Sequence, residues 1–148
     1  MPIPVLNEDG LLPPGVHDCT LEEVATRFGR FQSSDRRSRL FAALRAFLDE
    51  LRRSGIFEAL LINGSFVTAK AAPNDIDLIL VLRTSHSFRE DLPPLAYNLV
   101  RPAKARKRWG FDVVVAKADS EAYVAAVDLF QQVRNEPGRK KGLLRITL

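Results

Sequence analysis

The run Ile76-Asp77-Leu78-Ile79-Leu80-Val81-Leu82 constrains the fold more than any other segment. Apart from Asp77 it is apolar at both odd and even positions, and strand side chains alternate faces, so a strand here must be covered on both sides. A sheet with further structure layered on each face follows. Asp77 is then the misfit, because a carboxylate among apolar neighbours needs a partner. The pattern returns at Phe111-Asp112-Val113-Val114-Val115, again one acid at the head of an apolar strand. Two further strands are expected, one over 56–62 and a short final one over 142–148, alongside strands at 75–83 and 111–116.

Helical signals alternate with these strands. Thr20-Leu21-Glu22-Glu23 has the form of a capping box, with Gly29 as a left-handed stop, which predicts a helix over 21–28. Ser33-Ser34-Asp35 precedes Leu40, Phe41, Leu44, Phe47, Leu48 and Leu51 at helical spacing, and Gly55 ends the run. The opposite face of this longest helix carries Arg36, Arg37, Arg39, Arg45, Arg52 and Arg53, a pattern expected of a solvated surface. Asp91 with Pro93 and Pro94 opens a helix to about 100, limited by Pro102, and Asp119 or Ser120 caps another through about 134. The expected class is α/β or α+β: helices packed on a small mixed sheet, with residues 1–19 an extended lead-in and 20–148 a single domain.

Composition narrows the setting. A chain of 148 residues with 46% hydrophobic and 27% charged side chains suits one folded domain with a core and excludes a disordered or fibrous chain. The lone cysteine, Cys19, cannot form an internal disulfide, and no stretch approaches the roughly 18 apolar residues of a membrane span. Cytoplasm is the expected compartment, with no membrane partner. A net charge of +4 permits a polyanionic partner without demanding one. The cluster Arg101 to Arg108 with Trp109, and Arg139-Lys140-Lys141, are candidates to track an RNA backbone, with the indole stacking on a base.

The acids suggest chemistry. Asp75 and Asp77, two apart on a strand, project to one side at a spacing of roughly 6 to 7 Å. Such a pair can share hard divalent cations while leaving positions open for phosphate oxygens. Two Mg2+ ions so held clamp both oxygens of an in-line phosphoryl displacement, and Asp112, if its strand lies alongside, is a third ligand and a local base. Other readings stand beside this one: Asp75 as a turn residue capping its own backbone, and Asp112 as the partner of a buried arginine. Upstream, Asn63-Gly64-Ser65 is a turn whose backbone and hydroxyl can approach phosphate oxygens, with Lys70 as an available cation.

Asn63-Gly64-Ser65, nine intervening residues, Asp75-Ile76-Asp77 and the later hydrophobic-Asp-hydrophobic element together resemble the signature of the DNA polymerase beta-type nucleotidyltransferase superfamily in its minimal form. The flanking Leu12-Pro13-Pro14-Gly15 and Lys141-Gly142-Leu143 look like a little-characterised prokaryotic branch of it. The resemblance implies transfer of a nucleoside monophosphate from an NTP, ATP among the candidates, to a hydroxyl of RNA or a partner protein, with two Mg2+ ions and release of pyrophosphate. It implies Gly64, Ser65 and Lys70 at the nucleotide and Asp75, Asp77 and Asp112 as catalytic metal ligands. Small members of this kind resemble one half of a toxin-antitoxin or defence pair. A catalytically silent fold that binds RNA or a partner protein is the alternative, motivated by the lack of the helical domain that larger members place over the base.

Overall fold

The structure is a computed structural model that describes residues 3–29, 35–70, 73, 76–84, 102–133 and 136–148. Five strands form one sheet: β1 (Gly15–Asp18), β2 (Phe57–Asn63), β3 (Asp77–Leu82), β4 (Asp112–Lys117) and β5 (Gly142–Thr147). Their spatial order is β1-β5-β2-β3-β4. The two outer pairs, β1 with β5 and β3 with β4, are parallel, and the pairs of β2 with β5 and β3 are antiparallel. The expected small mixed sheet carrying helices is therefore present, in an α+β arrangement.

Among the described residues four helices accompany it: α1 (Leu21–Phe28), α2 (Arg36–Ser54), α3 (Pro102–Trp109) and α4 (Glu121–Gln131). The capping box at Thr20 is complete: the Thr20 hydroxyl accepts from the Glu23 amide, and the Glu23 carboxylate accepts from the Thr20 amide. Gly29 ends α1 in right-handed geometry, φ −90°, not the left-handed form expected. Its reason for being glycine is proximity, since a Cβ there would come within 2.9 Å of the Ala25 carbonyl and 3.2 Å of the Phe41 ring. Gly55 ends α2 as expected, and it does so in the left-handed conformation, φ 70°.

The sheet separates two apolar layers of unequal depth. On one side Leu60, Ile62, Leu78, Leu80, Leu82, Val113, Leu144 and Ile146 pack with α1 and α2 through Val24, Phe28, Leu44, Phe47, Leu48 and Leu51. On the other, Ala59, Leu61, Ile79, Val81 and Leu143 meet α4, where Ala126 is buried and Tyr123, Val127 and Phe130 are half-buried. The alternation that makes β3 apolar on both faces is thus used in full.

Three expectations change. Arg37 is not part of a solvated face; it is completely buried. Its guanidinium donates to the carbonyls of Phe28, Phe66, Thr68 and Lys70 and lies against the rings of Phe28 and Phe66. Those acceptors come from two chain segments, the end of α1 and the 66–70 turn, and burial pulls the Arg37 pKa down to about 10. Pro102 begins a helix, α3, that was not expected over the basic run, and its missing amide costs nothing at the first turn. Finally, part of the lead-in joins the sheet as β1. The helix expected over 91–100 lies outside the described residues.

Candidate functional site

β3 and β4 run parallel with Asp77 opposite Asp112 as the first pair of the ladder. Parallel neighbours sit roughly 4.8 Å apart and their paired side chains point the same way, so the two carboxylates share one side of the sheet. Asn63, last residue of β2, pairs with Asp77 from the other flank. The register thus lines up Asn63, Asp77 and Asp112 across three strands, on the face that also carries Leu61 and Ile79.

Chain alternation explains which face this is. Leu78, Leu80 and Leu82 fill the deep layer, which leaves Asp77, Ile79 and Val81 for the shallow one. α4 covers that shallow layer, and where the helix ends the acids open into a cleft of about 840 Å³. Gly64, Ser65 and Thr68 border the same space. Gly64 has φ 95° and ψ −179°, a backbone state that side-chain-bearing residues rarely adopt, so the turn out of β2 requires glycine. Ser65 then begins a short 3-10 turn, Ser65–Val67, closed by amides of Val67 and Thr68 bonding to the Gly64 and Ser65 carbonyls. The Thr68 hydroxyl donates to the Ser65 carbonyl at 2.6 Å.

Arg37 holds this turn from behind, through the carbonyls of Phe66 and Thr68. The geometry of the glycine-serine bend is therefore set by a buried cation on α2 as well as by Gly64.

Asp77 is half-buried, whereas the Asp112 side chain is 57% exposed and forms an ion pair with Arg106 of α3. That arginine is itself 70% exposed, so the pair is a surface contact and not an interior lock. Asn63 is only 6% exposed, and among the described residues its side-chain oxygen has no hydrogen-bond donor. A buried acceptor left unmet at a cleft floor is costly unless a donor or a cation reaches it. Its neighbours in register are two carboxylates, which makes an oxygen-only donor set suited to a hard divalent ion. Asp75, the remaining expected acid, lies outside the described residues; among the described residues no group of three or more His, Cys, Asp or Glu is placed to hold a metal.

Residues 4–147 match a family described as a family of unknown function, DUF6932. The chain belongs to that family. No curated protein and no solved structure matches it.

In this DUF6932 chain, β4 lies beside β3 and Gly64, Ser65, Asp77 and Asp112 border one cleft, while Lys70 is exposed and does not border it. The Lys70 carbonyl, not its ammonium, has the visible task, as an acceptor for Arg37. Trp109 does not extend to stack on a base: it is half-buried, 5.7 Å from the Phe47 ring and 6.5 Å from Phe111, with Arg108 over its outer face. The basic run around it does form an exposed helix, α3, in which Arg106 and Arg108 pair with Asp112 and Glu50. His17 and Cys19 make no ligand cluster: His17 Nε2 meets the Pro13 carbonyl at 2.7 Å, and Cys19 is buried.

The sequence reading missed the far wall of the cleft. Leu129, Phe130 and Val133 at the end of α4, with Gln132, Glu136 and Lys141, line it opposite the sheet. Nothing in local spacing marks these residues, because they reach the site only through the packing of α4 on the shallow face. None of the described helices is long and apolar enough to cross a membrane.

Proposed function

We propose that this protein is a Mg2+-dependent nucleotidyltransferase, transferring a nucleoside monophosphate from an NTP to a hydroxyl of RNA or of a partner protein. The observation that carries the reading is the pairing of Asp77 with Asp112 on adjacent parallel strands, at the mouth of a cleft that the Gly64-Ser65 bend also borders. The order and spacing of those residues resemble the minimal nucleotidyltransferase signature, and the α+β arrangement agrees with it.

Asp77, Asp112 and the unmet Asn63 oxygen fit the oxygen chemistry of Mg2+, with Asp75 as the expected additional ligand. When bound, the ions would neutralise charge on the triphosphate and lower the pKa of the acceptor hydroxyl. The protein's own residues do the rest. Gly64 lets the backbone approach the terminal phosphates without a side chain in the way, and Ser65 borders the same space, while the Thr68 hydroxyl, bonded to the Ser65 carbonyl, shapes the turn. Asp112, the more exposed acid, takes the proton of the acceptor hydroxyl as its oxygen bonds to the α-phosphorus and the α–β anhydride bond breaks, releasing pyrophosphate. Arg106 must release Asp112 for this to occur.

That last requirement favours a second reading, in which the pair persists and the fold binds RNA or a partner protein without turnover. The two separate cleanly. Incubation with each labelled NTP, Mg2+ and total RNA or a candidate protein acceptor should leave labelled product. Asp77→Asn and Asp112→Asn should each cut labelling by about 10²- to 10⁴-fold while melting with the wild type. Absence of labelling with every NTP, together with no Mg2+-dependent NTP binding, would leave the binding module as the surviving account.

A further inference from the structure

The cleft has two chemically different sides. Its sheet side is polar and acidic, built by Asn63, Ser65, Asp77 and Asp112; its helix side presents the apolar Leu129, Phe130, Val133 and Pro137 among Gln132, Glu136 and Lys141. Leu129 is 62% exposed although it borders this space, and Val133 and Phe130 are half-buried. An exposed leucine alone signifies little. An apolar strip facing a polar strip across one cleft is the pattern of a ligand that is itself divided, with a charged end and a flat apolar end.

The helix side is also held in place before any ligand arrives. The Lys141 amide donates to the Gln131 carbonyl at 2.7 Å, the Val133 amide to the Arg139 carbonyl at 3.1 Å, and Gln132 bridges to Lys140. The Gln131 side chain accepts from the Gly15 amide at 2.7 Å, which ties the end of α4 to β1. Arg139 pairs with both Asp9 and Glu136, anchoring the turn to the N-terminal segment. A wall fixed from several directions loses little conformational freedom when it accepts a ring.

From these observations, and resting on the nucleotidyltransferase reading, we propose that Leu129, Phe130, Val133 and Pro137 form the nucleobase subsite. The triphosphate lies along the sheet side and the base packs against the end of α4. At about 840 Å³ the cleft falls within the range of roughly 300 to 1,000 Å³ that encloses small ligands, room for a whole nucleotide and not for phosphates alone. The polar groups at the rim of that wall, the Gln132 amide and the Glu136 carboxylate, stand where a base edge would be read. The protein thereby supplies from its own α4, Gln132, Val133 and residues 136–141 what larger members of the resembled superfamily supply from a separate helical domain.

Calorimetry with Mg2+ tests this on the full chain, titrating each of the four NTPs and, separately, inorganic tripolyphosphate. The wild type should bind at least one NTP about tenfold or more tightly than tripolyphosphate. Leu129→Ser, at an exposed position that the fold does not depend on, should weaken that NTP about five- to tenfold and leave tripolyphosphate unchanged. Val133→Thr, of similar shape, should do the same to a smaller degree. If NTP and tripolyphosphate bind alike, or if both variants keep wild-type NTP affinity while Asp77→Asn abolishes tripolyphosphate binding, the base subsite is refuted and the nucleotidyltransferase reading stands. If neither compound binds, both fall.

Discussion

The two faces of the sheet are built to different standards. The deep face is sealed by α1 and α2, and Phe28, Leu44, Phe47, Leu48 and Leu51 have no solvent exposure. Among the described residues the shallow face is covered by α4, of which only Ala126 is buried, and two acids and an asparagine oxygen without a described donor lie at its edge. Stability is concentrated on the first face, which frees the second to carry groups that a close-packed layer would reject. Polar atoms that weaken a fold can be kept where little packing depends on them.

Paired substitutions sharpen the contrast most. Phe47→Ala, which empties the centre of the aromatic cluster with Trp109 and Phe111, should cost about 3 to 5 kcal/mol in urea unfolding. Phe130→Ala, half-buried on the shallow face, should cost markedly less; equal losses would show that the faces are not energetically distinct. A smaller effect is expected at Arg37. Its replacement by Leu leaves carbonyls of Phe28, Phe66, Thr68 and Lys70 without their donor, for about 2 to 4 kcal/mol, and amide exchange should quicken across 66–70 before the rest of the chain. Stability within about 0.5 kcal/mol of the wild type would mean that the glycine-serine bend holds its shape unaided.

The mildest probe is pH. Burial pushes the Cys19 thiol up to about 12, from an ordinary value of 9.0. Because the folded value is the higher one, the neutral thiol's contribution is complete below pH 9 and is lost as pH rises toward 12. The wild type should therefore lose stability over that window more steeply than Cys19→Ala, and alkylation of Cys19 at pH 8 should track unfolding. Rapid alkylation of the native protein would place the thiol at the surface instead.

Much of this organisation is legible in the residue order, for reasons that differ by element. α1 is written locally, in a cap and a box four residues long; α2 is written in the period of its leucines and phenylalanines. β3 announces its burial on both faces, and Asp77 stands out because that strand tolerates nothing else polar. Arg37 could not be read this way. Its neighbours in sequence are solvated arginines, and its acceptors include carbonyls 29 to 33 positions away, so charge patterning alone places it in water. β1 is hidden for a related reason: four residues after a proline pair carry almost no strand signal, and the partner that makes them a strand is β5. The apolar side of the cleft is the extreme case, since it exists only once α4 has docked.

One property of the sheet reaches beyond the folded state. β5 comes last among the strands in the order of synthesis yet sits inside the sheet, between β1 and β2. A nascent chain lacking residues 142–147 therefore holds two unjoined fragments, with β1 unpaired and the edge of β2 bare. Neither fragment can be sealed by local contacts, and closing the gap spans most of the polypeptide's length, which slows assembly. Until translation passes that point the ribosome carries a sticky intermediate, and the bare edge of β2 is where an early chaperone would have to hold on.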